Sequence, residues 1–229
     1  IYRIAPKSFK AHQLKPDFTS TQGLLKLLQS PSDNVRFLAV ELLKKSGSKV
    51  IPALKKLMKH KNPWIAARPI WILPHLGKQG LAECKALLKS SIAQTRLVSF
   101  KALRRADENI LPVAQQLAKD KSTLIRREVA TALRNYSFQD KKNIWLQLYN
   151  SWDGQDRTFL EALGLCATNQ ESQLWNLLNK QRGNKKWNDK FSRMTWRLHP
   201  VEAIGQLMKR SKDITLNQKE RQLAIDTVA

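Results

Sequence analysis

Apolar side chains recur along the chain at the spacing of a helix, and the pattern itself repeats every thirty residues. Leucine occupies one register five times in succession, at Leu43, Leu73, Leu103, Leu133 and Leu163. Three other registers keep the same step: Leu27, Leu57, Leu87 and Leu117; Arg36, Ala66, Arg96 and Arg126; and Val40, Ile70, Phe100 and Ala130. Each repeat contains two apolar-periodic stretches joined by a polar turn such as "SPSDN" or "DKSTL", which predicts two helices per repeat.

A helical pair of thirty residues cannot bury its apolar face alone, so neighbouring pairs must stack around one continuous core. We predict an all-α fold: a right-handed α-α superhelix, or HEAT/ARM-like solenoid, of about seven helical hairpins over residues 19–229. The predicted pairs are 21–29 with 33–46, 50–59 with 63–77, 80–89 with 93–105, 109–119 with 122–136, 141–150 with 154–167, 171–181 with 186–198, and 200–210 with 216–228. Residues 1–18 are predicted to form an extended leader, the end of an upstream domain.

The second helix of the second pair, "NPWIAARPIWILPHLG", contains two prolines in its interior, Pro69 and Pro74. Each removes a helical hydrogen bond, which predicts a bent helix and frees a main-chain carbonyl. One interpretation is a kink that adjusts the stacking, with Trp64 and Trp71 in the core or at its rim. The other is a ligand groove lined by the tryptophans and by the carbonyls of Ile65 and Ile70.

Three stretches carry an arginine ahead of an Ala/Leu-rich second helix: "SDNVRFLAVELLKKSG" (32–47), "TRLVSFKALRR" (95–105) and "IRREVATALRN" (125–135). This pattern resembles HEAT repeats, a loose family whose resemblance implies an architecture and no particular activity.

A narrower resemblance rests on "IYRIAPK" at the start, "WDGQDRTFLEALGLCA" (152–167) and "KWNDKFSRMTWRLHPVEAI" (186–204). These stretches resemble the HEAT segment of large secreted bacterial proteins of the membrane-bound dehydrogenase, or PVC-type haem-binding, family. The resemblance implies an upstream β-propeller, a downstream c-type haem domain and a periplasmic or extracellular location. The chain has no C-x-x-C-H motif, so haem c would be held elsewhere in the parent protein and this chain would be an excised middle domain.

The formal charge of +23 is concentrated in the first half of the chain. Residues 1–106 contain 21 Lys and Arg against four acidic residues, whereas residues 107–229 contain 20 against 14. Such a surface attracts polyanions, including nucleic acid, acidic polysaccharide, anionic lipid or an acidic protein domain. A surface that is basic only for solubility is the alternative.

Arginines and two tryptophans form the candidate interaction surface, namely Arg36, Arg68, Arg96, Arg126, Arg127, Arg157, Trp64 and Trp187. Repeated guanidinium groups could follow an anionic backbone. Alternatively, they form a polar ladder between repeats together with acidic turn residues. The other tryptophans, Trp145, Trp152, Trp175 and Trp196, are predicted to pack in the core.

The residues that usually carry chemistry form no recognisable constellation. Cys84 and Cys166 fall at core positions of their helices and are predicted to be small buried hydrophobes without a mutual disulfide. The four histidines, His12, His60, His75 and His199, lack metal-ligand spacing. The acids Asp153, Asp156 and Glu161 suit helix caps and first-turn positions. We therefore predict no catalytic residue, cofactor or metal in this segment.

Together these observations favour a non-catalytic interaction scaffold whose partner is a neighbouring domain of the parent protein or another protein. The alternative is a nucleic-acid-binding HEAT protein, similar to the HEAT-like DNA glycosylases, that uses its basic face. The longest apolar run is far shorter than the roughly 20 residues of a membrane-spanning helix, so no such segment is predicted.

Overall fold

A computed structural model of the protein describes Ser8 and residues 16–228. The helices of these residues are α1 (Thr21–Leu27), α2 (Asp33–Lys45), α3 (Ile51–Leu57), α4 (Pro63–Ala67), α5 (Gly77–Ala86), α6 (Ala93–Arg105), α7 (Leu111–Leu117), α8 (Thr123–Ala132), α9 (Phe138–Ser151), α10 (Arg157–Ala167), α11 (Glu171–Arg182), α12 (Asp189–Leu198), α13 (Ile204–Lys212) and α14 (Gln218–Val228). Short 3-10 segments lie at Gly47–Val50, Arg68–Trp71, Leu73–His75, Leu87–Lys89 and Val201–Ala203. No strand occurs in the part of the chain that the structure describes, and the predicted all-α fold is confirmed.

The helices follow one another in the seven pairs that the thirty-residue pattern predicts, from α1 with α2 to α13 with α14. Apart from α4, which ends at Ala67 instead of residue 77, their ends differ from the predicted bounds by a few residues, because caps and not the apolar period decide where a helix starts. Ser20, Asn62, Ser137, Asp156 and Asn188 each accept a hydrogen bond from a main-chain N–H of the first helical turn. The polar turns of the pattern therefore fix several helix starts.

The leucine register is the core of the repeats. The side chains of Leu43, Leu73, Leu103, Leu133 and Leu163 are all buried. Burial of a leucine side chain stabilises the folded state by about 1.5–3 kcal/mol, and each of these hairpins buries one leucine of this register. The apolar period thus identifies the packed face of each second helix.

The described helices fall into two compact units, residues 16–90 with 101–106 and residues 91–100 with 107–228. In the first unit, α1 packs against α2 and α3, and the 3-10 segment after α4 also packs against α3. In the second unit, the second helices α8, α10, α12 and α14 contact one another in that order. The first helices α7, α9 and α11 form the other layer of this unit. Such stacking of hairpins is the HEAT-like arrangement that the repeats predict.

The proline-rich second helix is broken into three pieces, which confirms the predicted bend. Helix α4 is followed by two 3-10 segments, and each segment has a proline, Pro69 or Pro74, in its first two positions. A proline at the start of a helical turn lacks only an N–H that has no partner there. The carbonyl of Ile65 accepts a hydrogen bond from the N–H of Arg68, so the prediction that it is freed was wrong.

The extended leader predicted for residues 1–18 lies outside the described residues, except for Ser8 and residues 16–18. Those few residues form no helix or strand. The connection of "IYRIAPK" to an upstream domain stays a prediction. Among the described helices, none has the length and apolar character needed to cross a membrane.

Candidate interaction surface

Three arginines near the starts of second helices fold back onto the turn that precedes their own helix. Arg36 Nη1 donates to the main-chain carbonyls five and six residues earlier, at 2.7 and 2.8 Å. Arg126 Nη1 likewise donates to the carbonyls five and six residues earlier, at 3.1 and 2.6 Å. Arg96 Nη1 donates to the carbonyl five residues earlier, at 3.2 Å. We call Arg36, Arg96 and Arg126 the turn-lock arginines. Their common register in the sequence reflects a common structural task.

Arg96 also joins two consecutive hairpins through a part-buried ion pair with Asp120. Arg96 Nε and Nη2 donate to the two carboxylate oxygens of Asp120, both at 2.7 Å, and the side chains are only 14% and 7% exposed. Asp120 Oδ1 also accepts from the N–H of Ser122 at 2.8 Å. These hydrogen bonds hold the pKa of Asp120 below its usual value. Here the proposed polar ladder between repeats exists as a bidentate contact.

Arg68 reaches the preceding hairpin in a different way. The repeat pattern has Ala66 in the register of Arg36, Arg96 and Arg126, and Arg68 lies two residues later. Its Nη1 donates to the carbonyls of Leu28 and Ser30, at 2.8 and 3.5 Å. Burial and the nearby Arg36 guanidinium lower the pKa of Arg68. Arg68 therefore bridges two hairpins while its positive charge stays without a carboxylate among the described residues.

The candidate residues of the second unit lie mainly in cation–aromatic and ionic contacts. Arg127 lies 3.9 Å from Asp156, and Arg157 pairs with Glu161 at 2.7 Å. The Arg157 guanidinium carbon also lies 4.7 Å from the ring centre of Trp196. Trp187 is half-buried and meets the ring of another aromatic residue edge-on, with ring centres 4.7 Å apart. These contacts hold the side chains in place at a partly exposed surface.

Trp64 is the most exposed tryptophan described, with 78% of its surface accessible. Its predicted position in the core or at its rim was wrong, since it lies exposed in the first turn of α4. Trp71, by contrast, is half-buried. Trp145, Trp152 and Trp175 are buried, as predicted, whereas Trp196 was also predicted in the core and is only half-buried. Trp64 therefore presents a large apolar ring to solvent at the start of α4.

A groove of about 480 Å³ lies within the first unit, between α2, the two proline-containing 3-10 segments and the end of α6. We call it the basic groove and define it by Arg36, Phe37, Lys44, Arg68, Trp71 and Arg105. Phe37 is 64% exposed although it is a phenylalanine in the middle of a helix. The groove therefore combines apolar rings with several cationic groups.

Positive potential in the basic groove acts on a histidine at its edge. Burial lowers the pKa of His75, and the nearby Lys44 and Arg105 lower it further, whereas Glu41 opposes them. Lys44 itself pairs with Glu41 at 2.9 Å. Because the cations outnumber the carboxylates that face them, a bound anion would be stabilised in this groove.

The acidic residues considered for chemistry serve the fold instead. Asp156 caps α10 by accepting from the N–H of Phe159, which confirms its predicted role. Asp153 Oδ1 accepts from two main-chain N–H groups, both at 2.8 Å. Glu161 was predicted to lie in a first turn, but it pairs with Arg157 and, at 2.6 Å, with Arg197. All three carboxylates are thus engaged in turns, caps or ion pairs.

The cysteines and histidines of the described region form no metal-binding group. Cys84 and Cys166 are buried, as predicted, and burial raises the pKa of the Cys166 thiol to about 12. His60, His75 and His199 are not part of any cluster of three or more potential metal ligands among the described residues. His12 lies outside the described residues.

The basic groove was not predicted from the sequence, because its residues come from α2, two 3-10 segments and α6. Lys44, His75 and Arg105 were not candidates, because they lie about thirty residues apart and meet only through stacking. One signal was available: Arg36 and Lys44 lie eight residues apart, on one face of a predicted helix.

Comparison with known families gives one match. Residues 21–92, which contain α1 to α5, match the family described as HEAT repeats. No curated protein sequence matches the chain. These comparisons do not address the resemblance to the membrane-bound dehydrogenase family. The protein is an all-α helical-repeat protein whose residues 21–92 are similar to HEAT repeats.

Proposed function

We propose that the chain is a non-catalytic interaction scaffold that presents exposed side chains of its second helices to a neighbouring domain or another protein. The observation that carries this proposal is the solvent exposure of Phe37 and Leu38 in α2 and of Trp64 in α4, at 64%, 49% and 78%. Large apolar side chains that are left exposed on helices of a repeat protein are available for contact with another macromolecule. The similarity to HEAT repeats supports the same role.

The engagement of the polar residues favours a scaffold over an enzyme. A catalytic acid, base or nucleophile needs a side chain poised towards a substrate. Asp153 and Asp156 accept main-chain hydrogen bonds, and the thiol of Cys166 is buried and has a raised pKa. Each of these groups contributes to the helical framework.

We also propose that the scaffold is the middle domain of a larger secreted electron-transfer protein. The support is the resemblance of "WDGQDRTFLEALGLCA" and "KWNDKFSRMTWRLHPVEAI" to the dehydrogenase-like family. The parent would act in the periplasm or outside the cell and would bind haem c in a different domain. Sequencing the reading frame on both sides of this chain tests the proposal. A frame without a propeller and without C-x-x-C-H would overturn it.

Site-specific photo-cross-linking tests the scaffold role directly. The photoreactive amino acid benzoylphenylalanine is placed at Trp64 or Phe37 in the natural polypeptide, in the cells that produce it. Lys49, which is exposed and lies outside the basic groove, provides the control position. We expect position 64 or 37 to cross-link one defined domain or protein, which mass spectrometry identifies, and position 49 not to do so. Equal cross-linking at all three positions, or none, would refute the scaffold role.

A nucleic-acid-binding function is the second candidate, and the charge of the first unit favours it. Residues 16–90 with 101–106 contain 16 Lys and Arg against four acidic residues. If this charge only attracts polyanions, DNA binding should be weak, indifferent to sequence and to lesions, and steeply reduced by salt. We expect no base release from alkylated DNA. Lesion-dependent excision, abolished by Asp153→Asn or Asp156→Asn, would establish the glycosylase-like alternative.

A further inference from the structure

The cations of the basic groove form two clusters. Arg36 and Arg68 both donate to the carbonyl of Ser30, at 2.8 and 3.5 Å, and form the first cluster. Lys44 and Arg105 act electrostatically on the same histidine and form the second cluster. Arg36 and Lys44 lie eight residues apart on α2, which corresponds to about 12 Å at 1.5 Å per residue. Two separate anionic groups can therefore bind at once.

Apolar side chains lie between the two clusters. Val40 is one helical turn from both Arg36 and Lys44, so it occupies the middle of the same stripe on α2. Trp71 lines the groove from the 3-10 segment, and Phe37 lines it from α2. A ligand that spans both cationic clusters must place an apolar group at this centre.

Arg68 has no carboxylate to balance its charge in the described structure. Its hydrogen bonds go to two main-chain carbonyls, and the neighbouring Arg36 guanidinium repels it. Arg36 is itself paired with Asp33, at the exposed start of α2. The first cluster therefore holds two guanidinium groups against one nearby carboxylate, an arrangement that suits a bidentate oxyanion from a ligand.

We propose that the basic groove binds an extended acidic peptide segment of the pattern acidic-x-apolar-x-acidic. In an extended chain, alternate side chains share one face and a step of four residues covers about 13 Å. The two acidic side chains of such a segment match the two cationic clusters, and the apolar side chain between them matches Val40 and Trp71. This inference rests on the proposed scaffold function and names the chemistry of its partner.

A peptide suits the groove better than nucleic acid because Glu41 also lines it. A peptide has main-chain N–H groups that can donate to the Glu41 carboxylate. A phosphodiester backbone has no such donors and carries a charge at every nucleotide, whereas the peptide carries only two carboxylates with a neutral stretch between them. The aliphatic side chain of Val40 likewise suits an apolar residue better than it suits a stacked base.

Fluorescence anisotropy with a labelled peptide, Gly-Glu-Ala-Phe-Ala-Glu-Gly, tests the proposal. Replacement of both glutamates by glutamine should weaken binding about tenfold, because both charge contacts are lost. Arg105→Gln, at an exposed side chain, should weaken binding about threefold to fivefold. Arg68→Met should weaken it at least tenfold, provided that circular dichroism confirms its helices. Lys49→Gln, the matched surface control, should stay within twofold.

Histidine NMR supplies a second readout inside the groove. The groups that face His75 are Glu41 and Lys44 of α2 and Arg105 of α6. A peptide carboxylate near Lys44 and Arg105 offsets their repulsion, so the pKa of His75 should rise when the peptide binds and should not change with the glutamine peptide. This shift would not arise from a non-specific effect of charge elsewhere on the surface.

Three results would overturn the proposal. The first is equal binding of the glutamate and glutamine peptides, and the second is an equal loss of affinity in Lys49→Gln and Arg105→Gln. The third is tighter binding of a twelve-nucleotide thymidine oligonucleotide than of the peptide, with the affinity for the oligonucleotide lowered by Arg105→Gln and Arg68→Met. That result would assign the groove to nucleic acid. The cross-links at Trp64, which lies outside the groove lining, test the scaffold role separately.

Discussion

The ion pair between Arg96 and Asp120 predicts a large loss of stability when its charge is removed. Asp120→Asn keeps the size of the side chain and one acceptor oxygen, which can still accept from the N–H of Ser122. It replaces the second oxygen by an amide NH₂ group, which faces the Arg96 guanidinium and cannot accept from it. The substitution therefore leaves a positive charge on a side chain that is only 14% exposed.

The size of the loss follows from these contacts. A hydrogen bond to a charged group contributes about 1.5–3 kcal/mol, and breaking a fully buried pair from one side costs about 3–5 kcal/mol. Arg96 keeps its turn contact at 3.2 Å and some access to water, which reduces the penalty. We expect Asp120→Asn to lower the free energy of unfolding by about 2–4 kcal/mol. For a chain of this size, that corresponds to a Tm lower by about 5–15 °C.

Thermal and urea unfolding, followed by circular dichroism at 222 nm, measure this effect. The control is Glu83→Gln at the ion pair between Lys55 and Glu83, whose side chains are 49% and 31% exposed. An exposed pair of this kind contributes up to about 1 kcal/mol, so the control should lose little. If Asp120→Asn were no less stable than Glu83→Gln, the ion pair between Arg96 and Asp120 would not hold the hairpins together and the reasoning would fail.

The same pair predicts how stability depends on pH. The hydrogen bonds from Arg96 lower the pKa of Asp120 below its ordinary value of 3.8. Between the lowered folded pKa and 3.8 the unfolded chain binds more protons than the folded one, so acid favours unfolding there. The contribution of Asp120 is complete above 3.8 and is lost as the pH falls through the folded pKa. The difference in stability between wild type and Asp120→Asn should therefore narrow from pH 5 towards pH 2.

Three further outcomes are expected. Pro69→Ala combined with Pro74→Ala should lower the free energy of unfolding, measured in urea, by about 1–2 kcal/mol, because each proline lies at the start of a 3-10 turn and restricts the unfolded chain. A higher free energy of unfolding in the double variant would mean that the break in the helix is strained. Lys141→Met should lower the free energy of unfolding by about 2–3 kcal/mol in the same assay, since the buried Lys141 ammonium donates to two main-chain carbonyls. An unchanged free energy of unfolding would indicate that the cost of desolvating the ammonium offsets these hydrogen bonds. Cys84 and Cys166 should resist a thiol reagent at pH 8 until guanidinium is added, and rapid labelling would contradict their burial.

The repeat architecture was predictable because one physical requirement recurs every thirty residues. Each hairpin needs an apolar stripe, and Leu43 to Leu163 in steps of thirty supply it. Polar turns and cap residues such as Asn62 and Asp156 then bound the helices. These signals are local in sequence, so no knowledge of the packing was required.

The basic groove and the exposure of Trp64 could not be predicted by the same means. Trp64 lies at an apolar-looking position, yet its side chain is exposed in the first turn of the short helix α4. Arg105 meets Lys44 near one histidine only because hairpins pack with a particular offset. Period and propensity contain no information about that offset, which side-chain packing decides.

The turn-lock arginines also limit how the repeats can diverge during evolution. The acceptors are main-chain carbonyls, which every residue type provides: five and six residues upstream for Arg36 and Arg126, and five residues upstream for Arg96. Turns as different as "SPSDN" and "DKSTL" therefore satisfy the same guanidinium. Insertion of a single residue would move both carbonyls out of register, whereas substitution would leave them in place. Each arginine thus constrains the length of its turn and leaves the composition of that turn open to drift.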